Sequence, residues 1–341
     1  MSESDPRAAL IVRAQHNISD ILHHVFAHTA QQKTLLVHDT RSALSRLLTA
    51  AYRTQLPEAQ YLDFDACETD TVLRALAALA PGDLAILIQS TSFRLNRFRI
   101  RIELFQQKIK VIEHPHLGRM RQSELSTYID ALAYDPAYYR RIGPALQEKI
   151  ADAYEISIFS EGATLKYDTA FLSPKLNIGD YGNMKNIGGQ FPIGEVFTEA
   201  EQLERVNGRV TFFAFGDTQF SVQVPEKPFT VIIEKGILVD SPDAPEEFLQ
   251  VLREIREKEG VVWVRELGFG LNRAFTATRR VSDIGTYERM CGIHLSLGSK
   301  HLQYKKVAFP KKGGFHVDAF VKTGRVEING IIVYQEGHYL C

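Results

Sequence analysis

The spacing of apolar positions changes character near the middle of the chain. In the first half, short apolar runs alternate with stretches of helical period. Residues 7–30 carry Ile11, Ile18, Ile21, Leu22, Val25 and Phe26 at helical spacing. Residues 33–38 form an apolar run ending in Asp39-Thr40, a pair suited to cap a helix over 41–54, where Leu44, Leu47, Leu48 and Ala51 recur. A strand at 61–64, a helix over 69–80 closed by Pro81-Gly82, a buried strand at 83–89, a basic amphipathic helix over 93–107 and a fourth strand at 108–113 complete the series. Strands alternating with helices imply a parallel sheet with right-handed crossovers.

Residues 121–153 predict helix, with breaks near Asp135-Pro136 and Gly143-Pro144. From Tyr154 onward the period falls to two and glycine turns multiply, with examples at 156–159, 210–215, 230–233, 261–264, 317–321 and 326–333. One helix interrupts at 244–259, opened by Ser241-Pro242-Asp243 and ended by Gly260. The expected architecture is an N-terminal α/β domain with a parallel sheet over residues 1–153, acting as scaffold or lid. A C-terminal α+β domain follows over 154–341, with a largely antiparallel sheet or barrel.

Composition narrows the function classes. The 341 residues hold 40 basic and 41 acidic side chains, so no global field steers the chain to nucleic acid or a membrane surface. Cys67, Cys291 and Cys341 are far apart, with no CxxC, which argues against a disulfide framework and suits a reducing compartment. No run of about 18 apolar residues predicts a membrane span, and the polar, acidic start is unlike a secretory signal. The expected location is the cytoplasm.

The first half offers little chemistry. Its strand-to-helix turns contain no GxGxxG and no GxxxxGK[ST]. His16, His23, His24 and His28 fall on the first helix, but no flanking acid completes an HExxH pattern, so surface or hydrogen-bonded histidines are the expectation. Residues 91–101 interleave arginines with aromatics, a pattern that a solvated basic helix face, or a face gripping an acidic partner, explains more commonly than nucleic acid does.

In the second half, carboxylates and histidines recur beside glycine. Glu195 follows a turn rich in glycine and proline, and Glu266 is placed at the end of the predicted strand over 261–264. Glu288 precedes Gly292, His294 lies in an apolar strand-like run, and His316 and Asp318 are two apart and so share one strand face. Imidazole with carboxylate suits zinc, cobalt, manganese or iron, and a two-metal centre needs roughly five or six such ligands. Glu195, Glu266, Glu288, His294, His316 and Asp318 supply that set. Any one of them alone reads more readily as structure, but four separate segments each place such a group near glycine. The loop with Lys305-Lys306 and Lys311-Lys312 reads equally well as a carboxylate receptor or a solvated hairpin tip.

In order along the chain, Gly-Gly-Gln-Phe-Pro-Ile-Gly-Glu-Val-Phe-Thr, Glu-Leu-Gly-Phe-Gly-Leu-Asn, Gly-Ile-His-Leu-Ser-Leu-Gly and His-Val-Asp resemble the thermophilic aminopeptidase T and aminopeptidase S family of metallopeptidases, over about residues 180–335. The resemblance implies a metal-dependent aminopeptidase with a two-metal site, its ligands mapping onto Glu195, Glu266, His294, His316 and Asp318. It implies zinc, cobalt or manganese, a peptide or aminoacyl substrate, and a homodimer. Glu288 would be a further acid of the site, although the family reads Glu-Lys before a Gly-Thr pair where this chain has Glu288-Arg289 and Gly292-Ile293. The general base falls to Glu266 or Glu288, and Tyr304 would donate a hydrogen bond to the oxyanion. Related iron(II)-dependent ring-cleaving dioxygenases acting on dihydroxypyridines resemble the same half. They carry histidine where Glu266 stands and lack the second histidine-bearing strand, so Glu266 with His294 favours the peptidase. A non-catalytic relative that only binds is the third reading, against which the intact ligand set argues.

Overall fold

The computed structural model describes residues 6–93, 95, 100–182, 184–299 and 314–341. The chain divides into two compact units interleaved in sequence. The first runs to Pro136 and takes back Gly179–Ile193; the second comprises Ala137–Ile178 and Gly194–Cys341.

The first unit is built on a five-stranded sheet in the order Gln60–Asp63, Thr34–His38, Leu84–Ile88, Lys110–His114, Gly188–Gln190, with every pair parallel. Thr34–His38 and Leu84–Ile88 are buried at every position, as strands covered on both faces must be. One face packs Leu35, Val37, Ala85, Leu87 and Val111 against Val72, Leu76, Leu104 and Phe105. The helix Ala43–Gln55 buries Leu44, Leu47, Leu48 and Tyr52, and Ser42 caps it by accepting from the Ser45 amide while Ser45 returns the bond. Tyr52 brings its hydroxyl 2.9 Å from Nε2 of the fully buried His114, whose Nδ1 lies 3.0 Å from the Tyr128 hydroxyl. Because Tyr128 donates to the Phe191 carbonyl, Nδ1 carries the proton and Nε2 accepts from Tyr52. Burial pushes the His114 pKa down to about 3, so the ring stays neutral. The fifth strand needs glycine. Gly188 has φ +118°, and a Cβ there would fall 2.0 Å from the Val111 carbonyl oxygen.

The second unit holds a 14-stranded sheet whose main path is antiparallel throughout, a curled half-barrel. Its spine is Val206–Gly216, an 11-residue strand that pairs with four others. A register shift between Phe212 and Ala214 bends it, the usual effect of a bulge. The helix Glu246–Glu259 sits on this sheet and places Phe248 among Phe212, Phe215 and Phe229, with ring centroids 6.1, 5.0 and 4.7 Å away. The expected parallel α/β sheet followed by a largely antiparallel sheet is what the chain forms.

Three local readings change. The helix over 121–153 breaks near Asp135 but not at Gly143-Pro144: Pro136–Ala151 runs through Pro144. One proline removes one backbone bond, and burial of Tyr139, Ile142, Leu146 and Ile150 holds the helix together around it. Gly143 is required there, since a Cβ would lie 2.8 Å from Ile178 Cδ1. The helix over 7–30 is α-helical only over Pro6–Asp20 and ends in a π turn, Ile21–Val25. Glu266 is not at the end of a strand; it lies inside Val264–Gly270, which has partner strands on both sides. Among the described residues no helix is long and apolar enough to cross a membrane.

Candidate metal centre

Four strands adjacent in the sheet, Val317–Val321, Gly292–Leu297, Val264–Gly270 and Glu195–Glu199, carry the acidic and imidazole side chains. Register aligns Glu195 with Gly270, His294 with Gly268 and Asp318 with Ser296. With side chains alternating along each strand, Glu195, Glu266, His294, Ser296 and Asp318 all fall on one face. His316 precedes its strand by one residue and sets Nε2 3.2 Å from Asp318 Oδ1.

Two groups result. In each, the possible ligand atoms lie within 4.8 Å of one another: Glu195, Glu266 and His294 in the first, Glu266, His316 and Asp318 in the second. Glu266 belongs to both. His294 is 1% exposed. Its Nε2 is 3.4 Å from Glu195 Oε1 and 3.5 Å from Glu266 Oε1, ion-pair distances, yet neither ring nitrogen has a hydrogen-bond partner in good geometry. A buried imidazole aimed at two buried carboxylates without bonding either is the arrangement that a cation between them would satisfy. These buried groups could hold a divalent ion, or ions.

The glycines of the Glu-Leu-Gly-Phe-Gly segment act by their size. A Cβ on Gly268 would lie 2.0 Å from His294 Cε1, and one on Gly270 would lie 1.9 Å from the Met290 carbonyl oxygen. Gly194, at φ +122°, precedes Glu195 where a Cβ would meet Tyr139 at 2.9 Å and the Asn272 amide nitrogen at 3.1 Å. Glycine here lets a ring and a loop cross the sheet closely beside the acids.

The local field is set by crowding. Burial works to lower the His316 pKa, but Asp318 overrides it and raises it to about 10. Burial raises Asp318, and His316, His294 and the Ser296 hydroxyl together hold it below the usual carboxylate range. For His294, burial is opposed by Glu195, Glu266 and Asp318, and the net shift is well upward. Glu288 stands just past the short helix Ile284–Tyr287, which Asp283 caps by accepting from Thr286. Burial raises its pKa well above the ordinary value, Arg289 opposes this, and Glu195 and Asp318 add to it. Glu288 thus feels the charges of both groups without belonging to either. The Arg289 guanidinium donates to Glu288 and to the Gly285 carbonyl.

Five of the six expected ligands are therefore brought together, with Glu288 flanking them. Tyr304, Lys305, Lys306, Lys311 and Lys312 lie outside the described residues. Three further features carried no role in the sequence reading. Ser296 donates to Asp318 at 2.5 Å and lies 3.2 Å from His316 Nε2, and its place two residues from His294 on a strand was the available signal. Arg289 grips Glu288. Arg265 and Glu199, each 1% exposed, form an ion pair on the two strands that carry Glu266 and Glu195.

No family model matches the sequence, and neither does any curated protein sequence. Solved structures do match. The 2,5-dihydroxypyridine dioxygenase from Pseudomonas putida KT2440 aligns with a TM-score of 0.64 at 15% identity, covering 99% of this chain and 98% of that one. Wild-type AmpT from Thermus thermophilus aligns with a TM-score of 0.57 at 12% identity, covering 97% and 99%. The chain has the fold these two share. At such identities the likeness is one of fold, and the site has to speak for the chemistry.

Proposed function

We propose that the chain is a metal-dependent aminopeptidase, releasing N-terminal residues from peptides at a centre of two divalent ions. The observation that carries this is Glu266, the one carboxylate common to both ligand groups. Charge supports the same reading: among the described residues Glu195, Glu288 and Asp318 act together on Arg289, and a cluster rich in carboxylates suits divalent ions. Each group also contains one histidine and two carboxylates. A single-iron oxygenase site of the facial type uses two histidines and one carboxylate.

When bound, such ions supply a water of lowered pKa and polarise the scissile carbonyl. Glu195 and His294 would hold one side of the centre, His316 and Asp318 the other, with Glu266 between them. Ser296 fixes the Asp318 carboxylate by donating to Oδ1. Glu288, outside both groups and held by Arg289, would take the proton of the attacking water on its carboxylate and return it to the leaving amine.

The test is metal content together with turnover. Chelated protein should be inactive on aminoacyl amides, and zinc, cobalt or manganese should restore activity at two ions per chain. One iron per chain with oxygen uptake on 2,5-dihydroxypyridine would replace this reading with the oxygenase. Hydrolysis that survives both chelation and Glu266→Ala would remove the mechanism.

A further inference from the structure

Glu266 has a counterpart across the sheet. The register of Val264–Gly270 against Glu195–Glu199 sets it opposite Glu199. Residues paired in this way share a face, their Cβ atoms about 5 Å apart, and like charges there repel. Both glutamates are buried, Glu266 at 5% and Glu199 at 1% exposure. Glu266 belongs to both ligand groups and Glu199 to neither. Arg265 accounts for the difference, because its buried guanidinium forms an ion pair with Glu199. The backbone serves this arrangement. Val264 pairs with Leu297 and Leu267 with Leu295, so Val264–Gly270 carries one extra residue at Arg265-Glu266. A bulge of this kind re-aims side chains and is common beside functional sites.

We infer that Arg265 and Glu199 are a charge-setting pair, which governs through Glu266 how tightly the metal centre holds its ions. Neither belongs to a ligand group. Glu199 balances a positive charge next to Glu266 in the chain, and Arg265 balances a negative one opposite it. The two halves therefore act in opposite directions. With Glu199 neutral, an unbalanced guanidinium lies beside Glu266, at the chain spacing at which Arg289 donates to Glu288, and opposes cations. With Arg265 neutral, Glu199 adds a carboxylate on the face of the centre and favours them. A pair that only braced the strands would weaken the centre whichever partner was lost. The inference rests on the metal-centre reading and not on the reaction carried out there.

The test is calorimetric zinc titration of the chelated protein, with elemental analysis for stoichiometry and circular dichroism for folding. Glu199→Gln keeps the shape and removes the charge. It should weaken zinc binding about tenfold or more, and for both ions, because Glu266 is common to both groups. Arg265→Met should bind zinc at least as tightly as the unaltered protein. The double variant Glu199→Leu with Arg265→Met has no pair and no change in net charge. It should bind zinc as the unaltered protein does, and it decides the matter if a single variant fails to fold. Equal affinity in Glu199→Gln, or weakened binding in Arg265→Met or in the double variant, would overturn the inference and leave the metal centre standing. Unaltered protein that takes up no metal would overturn both.

Discussion

The ring of His294 occupies the space that a side chain on Gly268 would need, across the pair where the two strands meet. Cε1 and Nε2 would stand 2.0 and 2.1 Å from a Cβ there. One missing methyl group therefore sets where this imidazole can lie. Gly268→Ala should drive the ring away from Glu195 and Glu266 while the strand persists. The expected result is a loss of metal affinity of about 10–100-fold, the scale seen when a ligand loses its orientation. Calorimetric zinc titration beside a thermal melt checks it. Unchanged affinity would show that the ring has room the geometry denies.

The shared carboxylate makes the two groups unequal to mutation. Glu266→Ala should empty the whole centre, whereas His294→Ala and His316→Ala should each remove about one ion. Elemental analysis of dialysed variants reads this directly. Loss of the same single ion in all three would mean one site, not two.

Ser296 offers a milder perturbation. Its hydroxyl donates to Asp318 and touches His316, so Ser296→Ala leaves the ligand atoms in place but frees their orientation. Metal affinity should fall about tenfold or more, with the unfolding midpoint of the chelated protein nearly unchanged. Equal affinity in the variant would show that Asp318 is held by other means.

Arg265 and Glu199 join the strands of Glu266 and Glu195 by a fully buried ion pair. Removing one partner strands a buried charge, so Glu199→Leu should cost about 3–5 kcal/mol in urea denaturation. Adding Arg265→Met should recover much of that loss, since apolar replacement of a whole buried pair is often neutral. A double variant no more stable than the single one would contradict this.

His114 predicts an acid limit for the first unit. Its folded pKa lies near 3, below the unfolded value of 6.5, so the unfolded chain binds the extra proton in between. The stability it contributes is complete above pH 6.5 and is lost as pH falls toward 3, by at most about 1.4 kcal/mol per pH unit. Denaturant titrations from pH 7 to pH 4 should show this slope, and His114→Phe should flatten it. An equal slope in that variant would place the acid sensitivity elsewhere.

How much of this could be read beforehand depended on the length of the signal. Leu84–Ile88 and Thr34–His38 announce themselves as unbroken apolar runs, and the metal-centre acids by their glycine neighbours. Gly188–Gln190 adds a strand with only two glycines and a glutamine, which no periodicity can mark. Glycine reads as a turn and so sets Glu266 at a strand end, yet Gly268 and Gly270 stay within the strand, their missing side chains making room for His294 and Met290. The ion pair of Arg265 with Glu199 spans 66 residues, and pairing at such range leaves no local trace.

The return of Gly179–Ile193 to the first unit has a practical corollary. Lys110–His114 finds its outer neighbour only after 70-odd residues of intervening chain, most of which belong to the other unit. No single scission yields two self-sufficient fragments: a product ending before Gly179 would expose a bare edge along Lys110–His114. Ribosomal synthesis faces the same constraint, since that parallel sheet stays incomplete until Gly188–Gln190 has emerged.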